Sequence, residues 1–354
     1  MTQEPTPRRS VTGPQADLLR LAYGAQAAQV IYVAAKLRLA DLLKDGARSS
    51  VDLAAAAGVD AAVLQRVLRS LVTLGVLAPA PHDRFALTEM GKYLQSDRAD
   101  SIQPRAILNT ELLLPLWGDL LHTLRTGESG VARVLGMPLY EYLASHPDVG
   151  ALFDQTMASY AQYRLGPAVA AYDFSRFRSI VDVGGGNGAL LIEILRAYPK
   201  PSGIVFDLAE VAERARENIA AAGLSDRCTA VGGSALETVP AGGDAYILSN
   251  FLIGMDDKRA SEVLRRCHRA MTDGGRVLLI EWVVPARGEM TDSFKSWDTS
   301  SIDLTILSTG VGRVRTAEEF VAVLQAAGLA LTQIIPTASS VSVIEARSAH
   351  APSS

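Results

Sequence analysis

Along the first hundred residues apolar positions recur three and four apart, the repeat of helices that bury one face. The run QADLLRLAYGAQAAQVIYVAAKLRLADLLKDG reads as a long, Ala-rich apolar segment of helical character, with Gly46 as a stop signal. In SSVDLAAAAGVDAAVLQRVLRSLVTLGVL, Ser50 is the expected N-cap and Gly58 the break. A second helix follows, with Leu64, Val67, Leu68 and Leu71 on one face. LAPAPHDRFALTEMG then predicts a short strand–turn–strand wing. From Thr110 to Val169 the pattern is again helical, with turns at RTGESG and SHPDVG. Beyond Phe177 it changes to short β-rich runs, SIVDVGG, GIVFDL, CTAVGG, AYILSN and RVLLIEWVV, alternating with helical segments. That alternation predicts βαβ units and a doubly wound parallel sheet, an α/β class. LALTQIIPT and SVSVIEAR predict a closing hairpin at the sheet edge.

Composition changes this picture little. The chain has 354 residues, 48% hydrophobic and 20% charged, ample for two domains with a sizeable core. A net charge of −4 supplies no electrostatic attraction for nucleic acid or an anionic membrane. No apolar run approaches a membrane span, and the polar start MTQEPTPRRSVTGPQ lacks a signal-peptide core and reads as a disordered lead-in. Two cysteines, Cys228 and Cys267, provide neither a disulfide framework nor a zinc site; no metal is expected, and a reducing cytoplasm is. A helix–turn–helix with a wing is also a DNA-binding shape, but its second helix carries only Arg66 and Arg69 as basic residues. A packing or dimer-forming module is the better reading.

SIVDVGGGNGALLIEILRAYP carries the strongest local chemistry. An apolar strand runs into Gly184, Gly185, Gly186 and Gly188 and then directly into a helix, a turn that lets a ligand approach the backbone. The spacing also satisfies a dinucleotide fingerprint, so the loop alone does not choose a cofactor. Two acids narrow the choice. Asp207 ends the next strand, where a carboxylate accepts ribose hydroxyls. Asp182, just before the glycines, would repel a pyrophosphate yet suit the ammonium end of S-adenosylmethionine.

VDVGGGNG, FDLAEV, VPAGGDAYILSN, MDDKRASEVLRRCHRAMTDGGRVLLIEWVVP and RTAEEF resemble, in order and spacing, the S-adenosylmethionine-dependent O-methyltransferases. The likeness is to the plant caffeic-acid type and its bacterial antibiotic-tailoring relatives, and it runs from Asp17 to Ala346. It implies a lead-in over residues 1–14, a winged-helix-like dimerisation domain over 15–105, linking helices bordering the substrate pocket over 106–170, and a Rossmann-like catalytic domain over 171–347. It also implies a homodimer. Carried over by position, the cofactor set is Asp182, Gly184, Gly186, Gly188, Asp207 and Leu208, with Ser234 and Ala235 where the family has an acid near the adenine. Ser249 stands where a basic residue is common.

The catalytic set departs from the family. Its LHDWDD reads LIGMDD here, so the general-base histidine falls on Ile253 and the following acid on Gly254. One supporting glutamate corresponds to Glu281; the other falls on Val314. A general base contributes about 10²–10⁴-fold in rate, so its loss is the most informative departure. Among the five histidines, His122 on the linking helices is the one retained as a replacement candidate. Asn250 is a candidate to orient a substrate oxygen, while Asp256 and Asp257 are expected to cap the next helix. Met157, Tyr160, Phe294, Trp297, Asp303 and Ile253 are the expected substrate lining, with Tyr163 and Arg313 nearby candidates. The leading reading is methyl transfer without the usual base, to carbon, nitrogen or an already ionised oxygen of an aromatic or polyketide-like metabolite. Glu281, His122 or water would then take the proton. The alternatives are a non-methylating S-adenosylmethionine-binding catalyst (hydroxylase, decarboxylase or pericyclase) and a winged-helix regulator.

Overall fold

The computed structural model describes residues 13–286, 288–289 and 293–349, with the backbone alone at 158 and 160–163. Residues 1–12 of the expected lead-in lie outside this range, and Pro14 already opens a helix. Two compact units make up the fold. One is the chain up to Pro115 with Pro147–Ser159; the other is Leu116–His146 and Tyr160 onward.

In the first unit, the long helical segment expected before Gly46 comprises α1 (Pro14–Ala22), α2 (Gly24–Lys36) and α3 (Leu39–Leu42). The break before α3 is a local one, because Arg38 adopts a left-handed conformation at φ 53 that no helix continues through. Next come β1 (Arg48–Ser49), α4 (Ser50–Ala57), α5 (Ala61–Thr73), β2 (Leu77–Ala80) and β3 (Arg84–Leu87). The cap of α4 is Ser49 rather than Ser50, its side chain accepting from the Asp52 N–H, while Ser50 is buried in the first turn. Gly58 ends α4 at φ 67, and Asp60 caps α5. Leu64, Leu68 and Leu71 are buried as their spacing predicts, each worth about 2 kcal/mol of transfer free energy. The wing is a three-stranded antiparallel sheet in the order β1-β3-β2.

The helical stretch contains α6 (Gln103–Leu108), a π-helical turn at Asn109–Leu113, α7 (Leu114–Gly118), α8 (Leu120–Thr126), α9 (Val131–Leu135), α10 (Leu139–Ser145) and α11 (Pro147–Ala171). The unit boundaries divide it: residues to Pro115 and Pro147–Ser159 belong to the first unit and the rest to the second.

The second unit follows with β4 (Ser179–Val183), α12 (Ala189–Ala197), β5 (Ser202–Asp207), α13 (Ala209–Ala221), β6 (Cys228–Gly232), β7 (Ala245–Ser249), α14 (Asp257–Ala270), β8 (Arg276–Val284), α15 (Phe294–Thr309), β9 (Arg315–Thr316), α16 (Ala317–Ala326), β10 (Leu329–Pro336) and β11 (Val341–Ser348). They form one eight-stranded sheet along the path β10-β11-β8-β7-β4-β5-β6, with β9 paired to β8. Strands β4 to β8 are parallel, but β11 is antiparallel to β8. The sheet is therefore mixed where the sequence pattern predicts a parallel one. The final hairpin is present, yet β11 lies inside the sheet and only β10 forms the edge.

Alternation along the strands splits the core into two layers. Ile180, Ile247, Leu278 and Ile280 pack with α12 and α13, whereas Val181, Tyr246, Leu248 and Leu279 pack with α14 and α16. Successive strands run outward in opposite directions from β4 and β7, so the carboxyl ends of these two flank the switch point where α/β sheets bind ligands.

Candidate active site

At the end of β4 the glycines adopt the backbone their positions demand. Gly184 has φ 70, and a Cβ there would come within 2.2 Å of the Phe251 ring. Gly186 has φ 57 and donates its N–H to Asp207 Oδ2 at 2.9 Å; Gly188, at φ 81, opens α12. The other oxygen of Asp207 accepts from the Leu208 N–H at 2.7 Å, while the Leu208 side chain is exposed. Ser234 and Ala235 follow β6; the serine hydroxyl accepts from the Leu236 N–H at 3.3 Å, and Ala235 is buried. Ser249 ends β7, half-buried. These expected cofactor residues thus lie at the carboxyl ends of four neighbouring parallel strands.

Asp182 stands apart from them. Its strand register turns it toward the layer of Ile180, under the Gly185 backbone, where it has no exposed surface and neither carboxyl oxygen has a partner. Burial, and secondarily the Asp207 charge, pushes this acid up to about 7. An orphaned buried carboxyl beside a glycine cradle fits a ligand that brings a cation; it does not fit a phosphate. The residues present therefore suit S-adenosylmethionine.

The loop after β7 is built differently. Asn250 is exposed and holds a left-handed conformation at φ 53, its N–H donating to Ile280. Glu281, 2% exposed, accepts the Phe251 and Leu252 N–H groups on Oε1, both at 2.9 Å. Burial raises this carboxyl to about 7 against the lowering pull of those N–H groups and Arg315. Arg315, 1% exposed, spans the same loop: it donates to Asp257 Oδ1 at 2.9 Å, the Leu252 carbonyl at 2.8 Å and the Met255 carbonyl at 2.7 Å. Asp256 does cap α14, but Asp257 pairs with Arg313 and Arg315 instead. The carboxylates around this loop are thus bonded to its backbone or its arginines.

Ile253 (8% exposed) and Val314 (6%) belong to one buried apolar cluster with Trp282 and Ile302. Backbone bonds join their segments, since the Arg313 N–H donates to the Ile253 carbonyl at 2.9 Å. Asp303, half-buried on α15, accepts the Val314 N–H; burial raises its carboxyl while that bond and Arg313 lower it. Arg164 is buried with its guanidinium 4.4 Å from the Trp282 ring centroid. His122 is half-buried on α8, beside an Asp119 whose carboxylate holds Arg133. Phe294 and Trp297 expose most of their surface on α15. Met157 is half-buried in the first unit, while the side chains of Tyr160 and Tyr163 lie outside the described residues. Sequence reasoning missed Arg315 and Phe251. The one available signal was the TAEE that follows Arg315, a readable capping box at Thr316 and Glu319.

The O-methyltransferase domain family matches residues 117–330, and the O-methyltransferase dimerisation domain family matches residues 19–97. The chain is 40% identical to the phenazine O-methyltransferase PhzM of Lysobacter antibioticus over 330 residues, 93% of this chain and 95% of the relative. It is 33% identical to the phenazine-1-carboxylate N-methyltransferase of Pseudomonas aeruginosa, covering 90% of this chain and 93% of that one. Its structure is similar, with a TM-score of 0.76 at 32% identity, to NcsB1, an O-methyltransferase from neocarzinostatin biosynthesis in complex with S-adenosylmethionine and 2-hydroxy-5-methyl naphthoic acid. That likeness covers 96% of this chain and all of the other.

Proposed function

The chain belongs to the O-methyltransferase family, and on that premise we propose that it methylates a small planar aromatic secondary metabolite whose acceptor atom arrives already nucleophilic. A ring nitrogen, an amine or an ionised hydroxyl meets that condition. The observation that carries the reading is the pair Ile253 and Val314, buried and apolar where the family has its histidine and one of its glutamates. Neither side chain takes a proton.

S-adenosylmethionine, when bound, supplies a methyl group on a positively charged sulfur. Asp182, the Gly184–Gly188 backbone, Asp207, Leu208, Ser234, Ala235 and Ser249 are the residues we assign to holding it. Ile253, Trp282, Ile302 and Val314 share one buried apolar cluster, and we assign to them the apolar wall of the acceptor site, where exclusion of water would strengthen the field felt by an anionic acceptor. Glu281 and Arg315 fix the Phe251–Met255 backbone and so position Ile253. Proximity and orientation supply about 7–11 kcal/mol of barrier reduction without any base. Asn250, Asp303, Met157, Tyr160, Phe294 and Trp297 remain the candidates for contacting the acceptor, and His122 or water for receiving a proton afterwards.

Support for the substrate class comes from the relatives, which methylate phenazines at oxygen or at nitrogen by their names, and from the naphthoic acid bound to NcsB1. The dimerisation-family match supports a homodimer. Among the described residues no helix is long and apolar enough to cross a membrane. We read the chain as a cytoplasmic enzyme with a small-molecule partner; a net charge of −4 supplies no attraction for a nucleic-acid one.

The test uses labelled methyl donor and aromatic acceptors of graded acidity. With S-adenosylmethionine held saturating at every pH, kcat/KM for hydroxylated acceptors should rise with pH up to each acceptor's own pKa, and it should stay flat for a ring nitrogen. Ile253→His should change kcat by less than about tenfold, far below what a working base contributes. One enzyme pKa common to every acceptor, or a large gain from the histidine, overturns the reading. Product without label would replace methyl transfer by the non-methylating alternative.

A further inference from the structure

Asp182 is the one carboxyl among the described residues that is buried with both oxygens unpaired. Other buried acids of the second unit are engaged: Glu281 by backbone N–H groups, and Glu345 by Tyr172, Arg176, Arg276 and Gln333. The reason is the strand register. Residues 180 and 182 face the same layer, and the position of Asp182 next to the glycine turn leaves its carboxyl packed against Gly185 and Val205. A Cβ on Gly185 would stand 2.7 Å from Asp182 Oδ2, so the loop backbone lies directly over the acid.

The titratable groups that face it are Asp207 from β5 and the buried Cys228 thiol from β6. From β7 the neighbour in register is Ile247, and the loop itself offers only glycines and Asn187. Asp207 is bonded to Gly186 and Leu208 and contributes a like charge. Desolvated, beside a second carboxylate and with no donor, an acid holds its proton. A cation brought onto the loop reverses the balance, because charge interactions are strong in so dry a place.

We propose that Asp182 is an uncharged acid in the empty protein and ionises when the ammonium end of the cofactor settles on the glycine loop, so that cofactor binding releases a proton. The balance is simple: the Asp182 O–H bond breaks, the proton leaves to solvent, and the carboxylate left behind, beneath the glycine turn, balances the charge of the ammonium that the turn carries. The inference rests on S-adenosylmethionine being the cofactor. It adds that the loop selects the amino-acid end by charge. S-adenosylmethionine and S-adenosylhomocysteine share that ammonium and should be proton-linked alike; 5′-methylthioadenosine lacks it and should not be.

Calorimetric titration at pH 6.5 in buffers of different ionisation heat reads the linkage directly. Both ammonium-bearing ligands should release roughly 0.5–0.8 proton and 5′-methylthioadenosine none. Asp182→Asn should abolish the release, and its affinity should be nearly independent of pH where the wild type weakens up to tenfold per unit on acidification. An infrared band of a protonated carboxyl in the empty wild-type protein, lost on adding S-adenosylhomocysteine, gives the same answer if the variant fails to fold. Binding heat with no buffer dependence, or equal release by Asp182→Asn, overturns the linkage alone. Absence of any binding heat overturns the cofactor reading with it.

Discussion

The loop after β4 and the loop after β7 leave neighbouring parallel strands at the same edge of one sheet, and Gly184 of the first touches Phe251 of the second. They treat their acids in opposite ways. After β4, Asp182 is buried without a partner. After β7, Glu281, Asp257 and Arg315 exhaust themselves on backbone groups and on each other, and Ile253 stands apolar among them. A buried polar group without a partner calls for an explanation, and the one proposed for Asp182 is the cofactor; the groups after β7 are already bonded within the fold and hold that loop as a wall.

The sharpest way to break the comparison is to remove the clamp from the wall. Arg315→Met should cost about 2–5 kcal/mol of stability, because it leaves the Leu252 and Met255 carbonyls without their donor. Chemical denaturation measures it, and a loss below about 1 kcal/mol would mean that the loop holds itself. Asp207→Ala comes next. It removes the acceptor of the Gly186 and Leu208 N–H groups as well as the expected ribose contact, so cofactor affinity should fall about 10²–10³-fold. Calorimetry reads this, and an unchanged affinity would take Asp207 out of the site.

The smallest expected effect is on stability against pH. The folded, empty protein holds the Asp182 proton up to about 7, well above the ordinary carboxyl value. Between pH 4 and 7 the folded state therefore binds more protons than the unfolded one, and its stability falls as pH rises through that window. Asp182→Asn should remove the Asp182 share of this slope, leaving that of Glu281, and leave the variant more stable than the wild type at pH 8, by on the order of 1–3 kcal/mol. Melting curves at pH 5 and pH 8 without cofactor give the comparison; equal slopes would show that the acid is ionised in the empty fold.

Much of this was legible before any coordinates. The helix face of Leu64, Leu68 and Leu71, the break at Gly58, the five parallel strands and the glycine turn all follow from local periodicity and backbone chemistry. The cap at Ser49 instead of Ser50 shows the limit of that reading, because two adjacent serines offer the same side chain and tertiary packing buries one of them. Arg313 and Arg315 show it again. Both are charged residues in one short segment, yet one is half-exposed and the other almost wholly buried.

Local pattern alone was enough to specify the element types, the glycine turn and the positions of Asp182 and Asp207 at strand ends. These depend on residues a few positions apart, where spacing and side-chain chemistry suffice. The folded chain was needed to show that β11 enters the sheet, that Glu281 and Arg315 bond to the Phe251–Met255 backbone, and that Asp182 is left without a partner. Whether a buried charge is satisfied depends on groups brought together from distant parts of the chain, and that information exists only once the chain has folded.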